Sequence, residues 1–220
     1  FFFQAEDGIR DSVASRELGD VYKRQVLSPP AMSNIQAVDL PRSYLLLNHG
    51  PTVLVTSAHG DARNVMAAAW AMPLDFNPAK MLVVVDKNTY TRELIEASGE
   101  FALCIPSRAQ AAATLKVGSE SGRGEDKFQA CGLSTFPASK IGAPLVAGCL
   151  GWLECKVVPE PHNQQAYDLF IGEVVAAWAA PDAFSDNRWH FPQDDRRSIH
   201  YLAGGSFFAT GEAFNVSEPE

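Results

Sequence analysis

Asn64-Val-Met-Ala-Ala-Ala-Trp70, Pro73-Leu-Asp-Phe-Asn-Pro78, Met81-Leu-Val-Val-Val85 and Asp86-Lys-Asn-Thr-Tyr-Thr91 follow one another along a single stretch of the chain. The first segment predicts a strand of short side chains and the second a proline-bracketed turn. The third has five apolar residues, three of them β-branched, between Lys80 and Asp86, and predicts a fully buried strand. After it, Leu94, Ile95 and Ala97 share one face and Gly99 closes the last turn, so a helix is expected to begin near Thr89.

Each end of this stretch has a chemistry. A helix N-terminus carries unpaired N–H groups and the positive end of the helix dipole, which favour an anion. Threonine hydroxyls and the full charge of Lys87 stand beside it. The commoner arrangement of such residues is a Thr89 or Thr91 cap with a solvated lysine, and both readings stand. At the other end, alternation puts Met66, Ala68 and Trp70 on one strand face and Val65, Ala67 and Ala69 on the other. Small side chains let a planar ligand approach the backbone. Met66 would add a thioether contact and Trp70 a wall, although either residue alone reads as core. A flat ring at one end and a phosphate at the other describe flavin mononucleotide (FMN).

Further segments sharpen the picture. Gly50-Pro-Thr-Val-Leu-Val-Thr-Ser57, Asn64 to Trp70, Asp75-Phe-Asn-Pro78, Asp86 to Ile95, Ser98-Gly-Glu-Phe101 and Leu169-Phe-Ile-Gly-Glu-Val174 resemble, in order and spacing, the flavin reductase-like proteins. The resemblance runs from about residue 45 to about residue 211. It implies an antiparallel, FMN-binding split β-barrel, mainly β with a few helices, that pairs as a homodimer with FMN near the subunit interface. Carried over by position, it implies ring contacts at Asn64, Met66, Ala67, Ala68 and Ala69; Trp70 stays a candidate from the residues alone, as a wall at the ring end or, with Tyr167 as the alternative, on the second-substrate face. It implies phosphate contacts at Lys87, Asn88, Thr89 and Thr91. NADH or NADPH would be the co-substrate, passing hydride to the flavin N5, and an oxygenase or another electron acceptor would be the protein partner. Hydride transfer between two cofactors needs placement and exclusion of water rather than a side-chain acid or base, so no catalytic residue is assigned. One departure stands out. Many relatives carry an Asp-His pair just before the Leu169 to Val174 type of strand, where this chain has Ala166-Tyr167-Asp168. His162, in an exposed connection, and Tyr167 are the candidates for the second-substrate face.

Composition excludes other classes. With 220 residues, 46% hydrophobic and 20% charged, the chain can bury one full-sized core. A formal charge of −8 argues against a nucleic-acid backbone as the main partner. The longest uncharged apolar-rich stretch, 141–153, contains Pro144 and three glycines and is too short and too broken to span a bilayer. Cys104, Cys131, Cys149 and Cys155 form no C-x-x-C pair, and the five histidines have no metal-ligand spacing. No metal is expected, and free thiols in a reducing cytoplasm are. Residues 118–127 fit neither a P-loop nor a dinucleotide fingerprint.

Residues 1–25 lack the layout of a secretory signal and look like a translated sequencing-adapter leader, with a disordered tail as the competing reading. Removing them takes away five acids and four bases and moves the charge only from −8 to −7. Met32 is the candidate natural start, giving a leader over 1–31 and one domain over 32–220. Strands are expected at 52–57, 101–105, 151–158 and 167–178, a hairpin turn at 59–61, helices at 108–117 and 125–131, and a surface excursion at 181–195. Three function classes remain: a nicotinamide-dependent flavin reductase, a flavin-binding electron carrier reduced by a protein, and a non-catalytic split-barrel binding module.

Overall fold

The computed structural model describes residues 35–216. The expected leader and start lie outside that range. In chain order the elements are β1 (Gln36–Ala37), a 3-10 turn (Leu40–Leu46), β2 (Val53–His59), β3 (Ala62–Ala68), β4 (Ala71–Phe76), β5 (Ala79–Val84) and α1 (Tyr90–Ser98). β6 (Glu100–Ile105), a 3-10 turn (Arg108–Gln110), α2 (Ala111–Ser119), α3 (Lys127–Ala130), β7 (Thr135–Phe136), β8 (Leu145–Val146) and β9 (Gly151–Val158) follow. The remainder comprises α4 (Pro161–Tyr167), β10 (Leu169–Ala179), β11 (Phe184–Ser185), β12 (Arg188–Trp189), a 3-10 turn (Asp194–Arg196), β13 (Ile199–Ala203) and β14 (Ser206–Ala209). The fold is mainly β, as expected.

The main sheet runs β3-β2-β6-β9-β10-β5-β4, with β1 added to β10, and every pair is antiparallel. The two-residue turn at Gly60-Asp61 sets the β2–β3 register, with Gly60 at φ 58°. β10 is the spine of the sheet. Its first half pairs with β5, and its length pairs with β9 across a bulge between Val174 and Ala176. Gly172 is required there, because a Cβ would sit 2.5 Å from Cζ of the fully buried Phe101. At the centre of the core are Phe101, Phe170, Met81, Leu54 and Leu103. Glu154 is also fully buried, and its carboxylate accepts from the Ser139 amide and hydroxyl, the Lys140 amide and Trp178 Nε1.

Several expectations are corrected by topology. The turn expected over 73–78 is confined to 77–78, between β4 and β5: β4 itself passes through Pro73, and the sheet tolerates this because β4 is its terminal strand and its register slips between Pro73 and Asp75. Residues 81–85 are not buried on both faces. Met81, Val83 and Val85 point into the core, while Leu82 and Val84 stay partly exposed. The expected 125–131 helix shortens to one turn capped by Asp126, and the 108–117 helix splits into a 3-10 turn and α2. Tyr167 ends a short exposed helix instead of starting a strand, because Asp168 takes a left-handed conformation, φ 56°, before β10 begins. The 181–195 excursion folds back as the β11–β12 hairpin. It buries Ala183 and Phe184 and sends Trp189 Nε1 to the Leu45 carbonyl. All four cysteines are free thiols, and burial pushes the Cys104 thiol up to about 12.

The β13–β14 hairpin is tied to the barrel by a polar chain. His49 Nε2 meets Ser198 Oγ at 2.8 Å, Ser198 Oγ meets Thr210 Oγ1 at 2.6 Å, and Thr210 Oγ1 meets His200 Nε2 at 3.0 Å. His49 Nδ1 is buried and has no partner among the described residues. Burial first, and then the nearby His200, lower the His49 pKa to about 4. The folded state therefore refuses a proton that the unfolded chain accepts near 6.5, so this contribution is complete above pH 6.5 and is lost as pH falls toward 4. A loss of about 2 kcal/mol between pH 7 and pH 4.5 is expected from this residue. Urea unfolding of His49→Gln alongside the unsubstituted protein checks it, with a smaller acid loss expected in the variant.

Candidate functional site

The residues expected at the phosphate end, Lys87, Asn88, Thr89 and Thr91, lie where β5 ends and α1 begins. Thr89 caps α1: its Oγ1 accepts from the Arg92 amide at 3.3 Å and donates to the Asp86 carbonyl at 2.8 Å. Asp86 folds the preceding turn by accepting from the Asn88 amide and carboxamide at 2.8 and 3.0 Å. Lys87 and Asn88 are left exposed on the tip. Thr91 is fully buried, and its Oγ1 accepts from Asn64 Nδ2 at 2.9 Å. That bond joins β3 to the first turn of α1 and makes Asn64 and Thr91 a strut between the two halves of the site.

The ring end is built on β3. It is a terminal strand, so no strand pairs with its outer edge. Ala67 and Ala68 are buried and Met66 and Ala69 partly buried, because the barrel lies on one side and helices cover the other. Simple alternation into an inner and an outer face therefore fails. Trp70 is neither core nor strand: it lies in the β3–β4 turn, 56% exposed, with its carbonyl accepting from the Val84 amide at 3.0 Å. The Val85 amide bonds the Asp168 carbonyl at 2.9 Å, which brings α4 to the same corner. On α4, His162 and Tyr167 are exposed and meet edge to face, centroids 5.6 Å apart. Asp168 itself is ion-paired with the buried Arg92.

The α2–α3 connection adds residues that the sequence reading missed. Gly122 lies against Asn64, so closely that a Cβ would fall 2.1 Å from Asn64 Oδ1, an oxygen that is buried and lacks a partner. Arg123 reaches across to α1: Nη1 donates to Glu93 Oε2 at 2.7 Å and Nη2 to the Asn88 carbonyl at 3.2 Å. Its guanidinium lies 5.6 Å from the Tyr90 ring centroid, and this pairing holds the Glu93 carboxyl below the usual carboxylate range. The signal was present as Gly122-Arg123-Gly124, a cation between two permissive residues, but it fits no phosphate-loop fingerprint.

Hydrogen bonds from Asn64 to Thr91, from the Val84 amide to the Trp70 carbonyl and from Arg123 to the Asn88 carbonyl tie these pieces together. At one end lies the unpaired backbone edge of β3, whose Ala67 and Ala68 side chains are buried. At the other, an α-helix N-terminus stands beside Lys87 and Arg123, two cations from different segments. That donor set fits a planar hydrogen-bonding ring joined to a phosphate. The flavin reductase like domain matches residues 46–199. The chain belongs to the flavin reductase-like family.

The FMN-binding domain of a flavin reductases-like enzyme from Shewanella baltica OS155 superposes with a TM-score of 0.81 at 51% identity, covering 84% of this chain and 98% of that one. The Escherichia coli K12 protein YddH is 45% identical over 184 residues, 82% of this chain and 97% of its own length. The reductase subunit HsaB of a Mycobacterium tuberculosis flavin-dependent monooxygenase is 28% identical over 128 residues, 58% of this chain and 65% of HsaB. The fold is thus the flavin reductase-like split barrel that the sequence resemblance implied. Among the described residues no helix is long and apolar enough to cross a membrane, and no cluster of three metal-ligating side chains occurs.

Proposed function

We propose that this protein is an NAD(P)H-dependent FMN oxidoreductase. The observation carrying the reading is that the unpaired β3 edge and the α1 N-terminus are joined by the Asn64–Thr91 bond, with the exposed Lys87 just before that N-terminus and Arg123 bonded to the Asn88 carbonyl beside it. FMN, when bound, supplies the two-electron chemistry. The backbone of residues 66–69 would hold the ring edge. Lys87, the tip around Asn88 and Thr89, and Arg123 would hold the phosphate. Asn64 and Thr91 keep those two halves at a fixed separation through their buried hydrogen bond. Trp70 and the His162–Tyr167 pair stand at the rim and would exclude water above the second substrate.

A homodimer fits the surface of β4. Trp70, Met72, Leu74 and Phe76 alternate along it, each between 48% and 63% exposed, beside the half-buried Leu82 and Val84 of β5. Such a contiguous apolar stripe suits a protein partner rather than water. Four free thiols fit a reducing cytoplasm. The reductase role of HsaB supports an oxygenase as the consumer of reduced flavin.

A second reading, an electron carrier reduced by another protein, draws on Asp168. Its carboxylate is engaged by Arg92, and the chain places no histidine directly before β10. Anaerobic mixing of the FMN-loaded protein with NADH and then NADPH separates the two. Bleaching of the flavin absorbance with either nucleotide is expected, and an unchanged spectrum with both selects the carrier. Protein that retains no flavin after incubation with FMN and dialysis rejects both readings and leaves the binding module.

A further inference from the structure

Lys127 is buried to 2% exposure and, among the described residues, has no carboxylate bonded to it. Its Nζ donates to the carbonyls of Val117, in the last turn of α2, and of Glu120, at 2.8 Å just beyond it. The ammonium therefore caps the negative end of α2 and fixes the start of the 120–124 connection. The aliphatic stem of the same side chain underlies that connection: Cδ would lie 3.0 Å from a Cβ on Gly122. At the far end, Asp126 is fastened to β3 by Arg63 at 2.6 Å and caps α3. The connection is thus held at both ends, and its middle presses Gly122 onto Asn64 and carries Arg123 to the Asn88 carbonyl and Glu93. Burial lowers the Lys127 pKa to about 8, while Cys131, Glu120 and Glu125 act in the opposite direction.

A buried lysine with only carbonyl partners is a costly way to end a helix, since desolvation of the charge opposes it. A glycine C-cap would have ended α2 without that cost. What a glycine could not do is tether residue 120 and support Gly122 in one side chain. We infer that Lys127 is a positioning residue for the phosphate end of the flavin cradle, holding the 120–124 connection so that Arg123 stands over the N-terminus of α1. The inference rests on the FMN reading above and deepens it. Lys127 touches no ligand and acts through Arg123. Its effect therefore belongs to the phosphate and not to the ring.

The test compares FMN with riboflavin, which has the same ring and no phosphate. Dissociation constants come from flavin fluorescence titrations of the unsubstituted protein, Lys127→Met, Lys127→Arg, Arg123→Ala and the Lys127→Met, Arg123→Ala double variant. Amide hydrogen exchange of residues 118–124 is followed in the flavin-free protein. Lys127→Met is expected to weaken FMN about tenfold, with less than a twofold change for riboflavin, and to speed exchange across 118–124. Lys127→Arg, which keeps the charge and the donors, restores most of both. Arg123→Ala reproduces the FMN-selective loss, and adding Lys127→Met to it changes affinity little further. Equal weakening of both flavins by Lys127→Met, full additivity in the double variant, or unchanged exchange would each overturn the role of Lys127. If Lys127→Met does not fold, Lys127→Gln, which keeps a neutral NH2 donor group, takes its place with an intermediate FMN-selective loss expected. Absence of FMN binding by the unsubstituted protein instead overturns the flavin reading itself.

Discussion

Lys87→Ala combined with Thr89→Ala raises the dissociation constant for FMN about a hundredfold and leaves that for riboflavin within about threefold. The size follows from two losses. Lys87 is exposed on the tip before α1 and would offer a phosphate a charge-assisted hydrogen bond, of a kind that contributes about 1.5–3 kcal/mol. Thr89 holds the first turn of α1 through the Arg92 amide and the Asp86 carbonyl, and removing such a cap costs about 1 kcal/mol of order in the N–H groups that would receive the anion. About 2.7 kcal/mol is a hundredfold in affinity. Arg123 remains in place in this variant, so binding is weakened rather than abolished. Raising ionic strength is expected to narrow the gap between the two proteins, because the lysine acts through solvent-exposed charge. Flavin fluorescence titrations at low and at physiological salt measure both effects. Parallel weakening of FMN and riboflavin would place the phosphate elsewhere.

Much of the region around α1 was legible because its signals are local. Thr89 and Gly99 each fix a backbone geometry by their own chemistry: the hydroxyl caps, and the glycine takes φ 71°. The β2–β3 hairpin and the long strands β9 and β10 were read from turn residues and apolar runs for the same reason. What stayed hidden depends on partners far away in sequence. Pro73 reads as a turn until β4 is known to be terminal in the sheet. Thr91 reads as a helix cap or a phosphate contact until Asn64, 27 residues earlier, is found bonded to it. Nothing in residues 120–124 has a period, because that segment is shaped by Lys127, Arg63 and Asn64 from outside. Tyr167 was placed on a strand because nothing local announces the left-handed Asp168.

Asp168 also marks the largest stability effect expected, a loss of about 3–5 kcal/mol on Arg92→Met. Arg92 is 6% exposed and its guanidinium satisfies four groups at once: Glu96 at 2.8 Å, the Asp168 carboxylate, the Gln164 carbonyl at 2.7 Å and the Val85 carbonyl at 3.4 Å. It also lies 5.2 Å from the Phe170 ring centroid. Methionine fills the space of the stem but leaves the Asp168 carboxylate partly buried without its cation, and that stranded charge, rather than the lost attraction, dominates the penalty. A second substitution separates the two contributions. Adding Asp168→Asn to Arg92→Met removes the charge and is expected to recover about 1–2 kcal/mol, whereas Asp168→Asn alone destabilises. Urea unfolding of the four proteins closes the cycle, and simple additivity would mean that the pair contributes through packing alone. The functional consequence lies in α4. Gln164 and Asp168 are the points where Arg92 holds that helix to α1, so releasing them frees the His162–Tyr167 pair at the rim. In the double variant, folded but unhooked, FMN affinity should change little while bleaching by the nicotinamide slows, since the cradle is intact and only the face above the ring has lost its support.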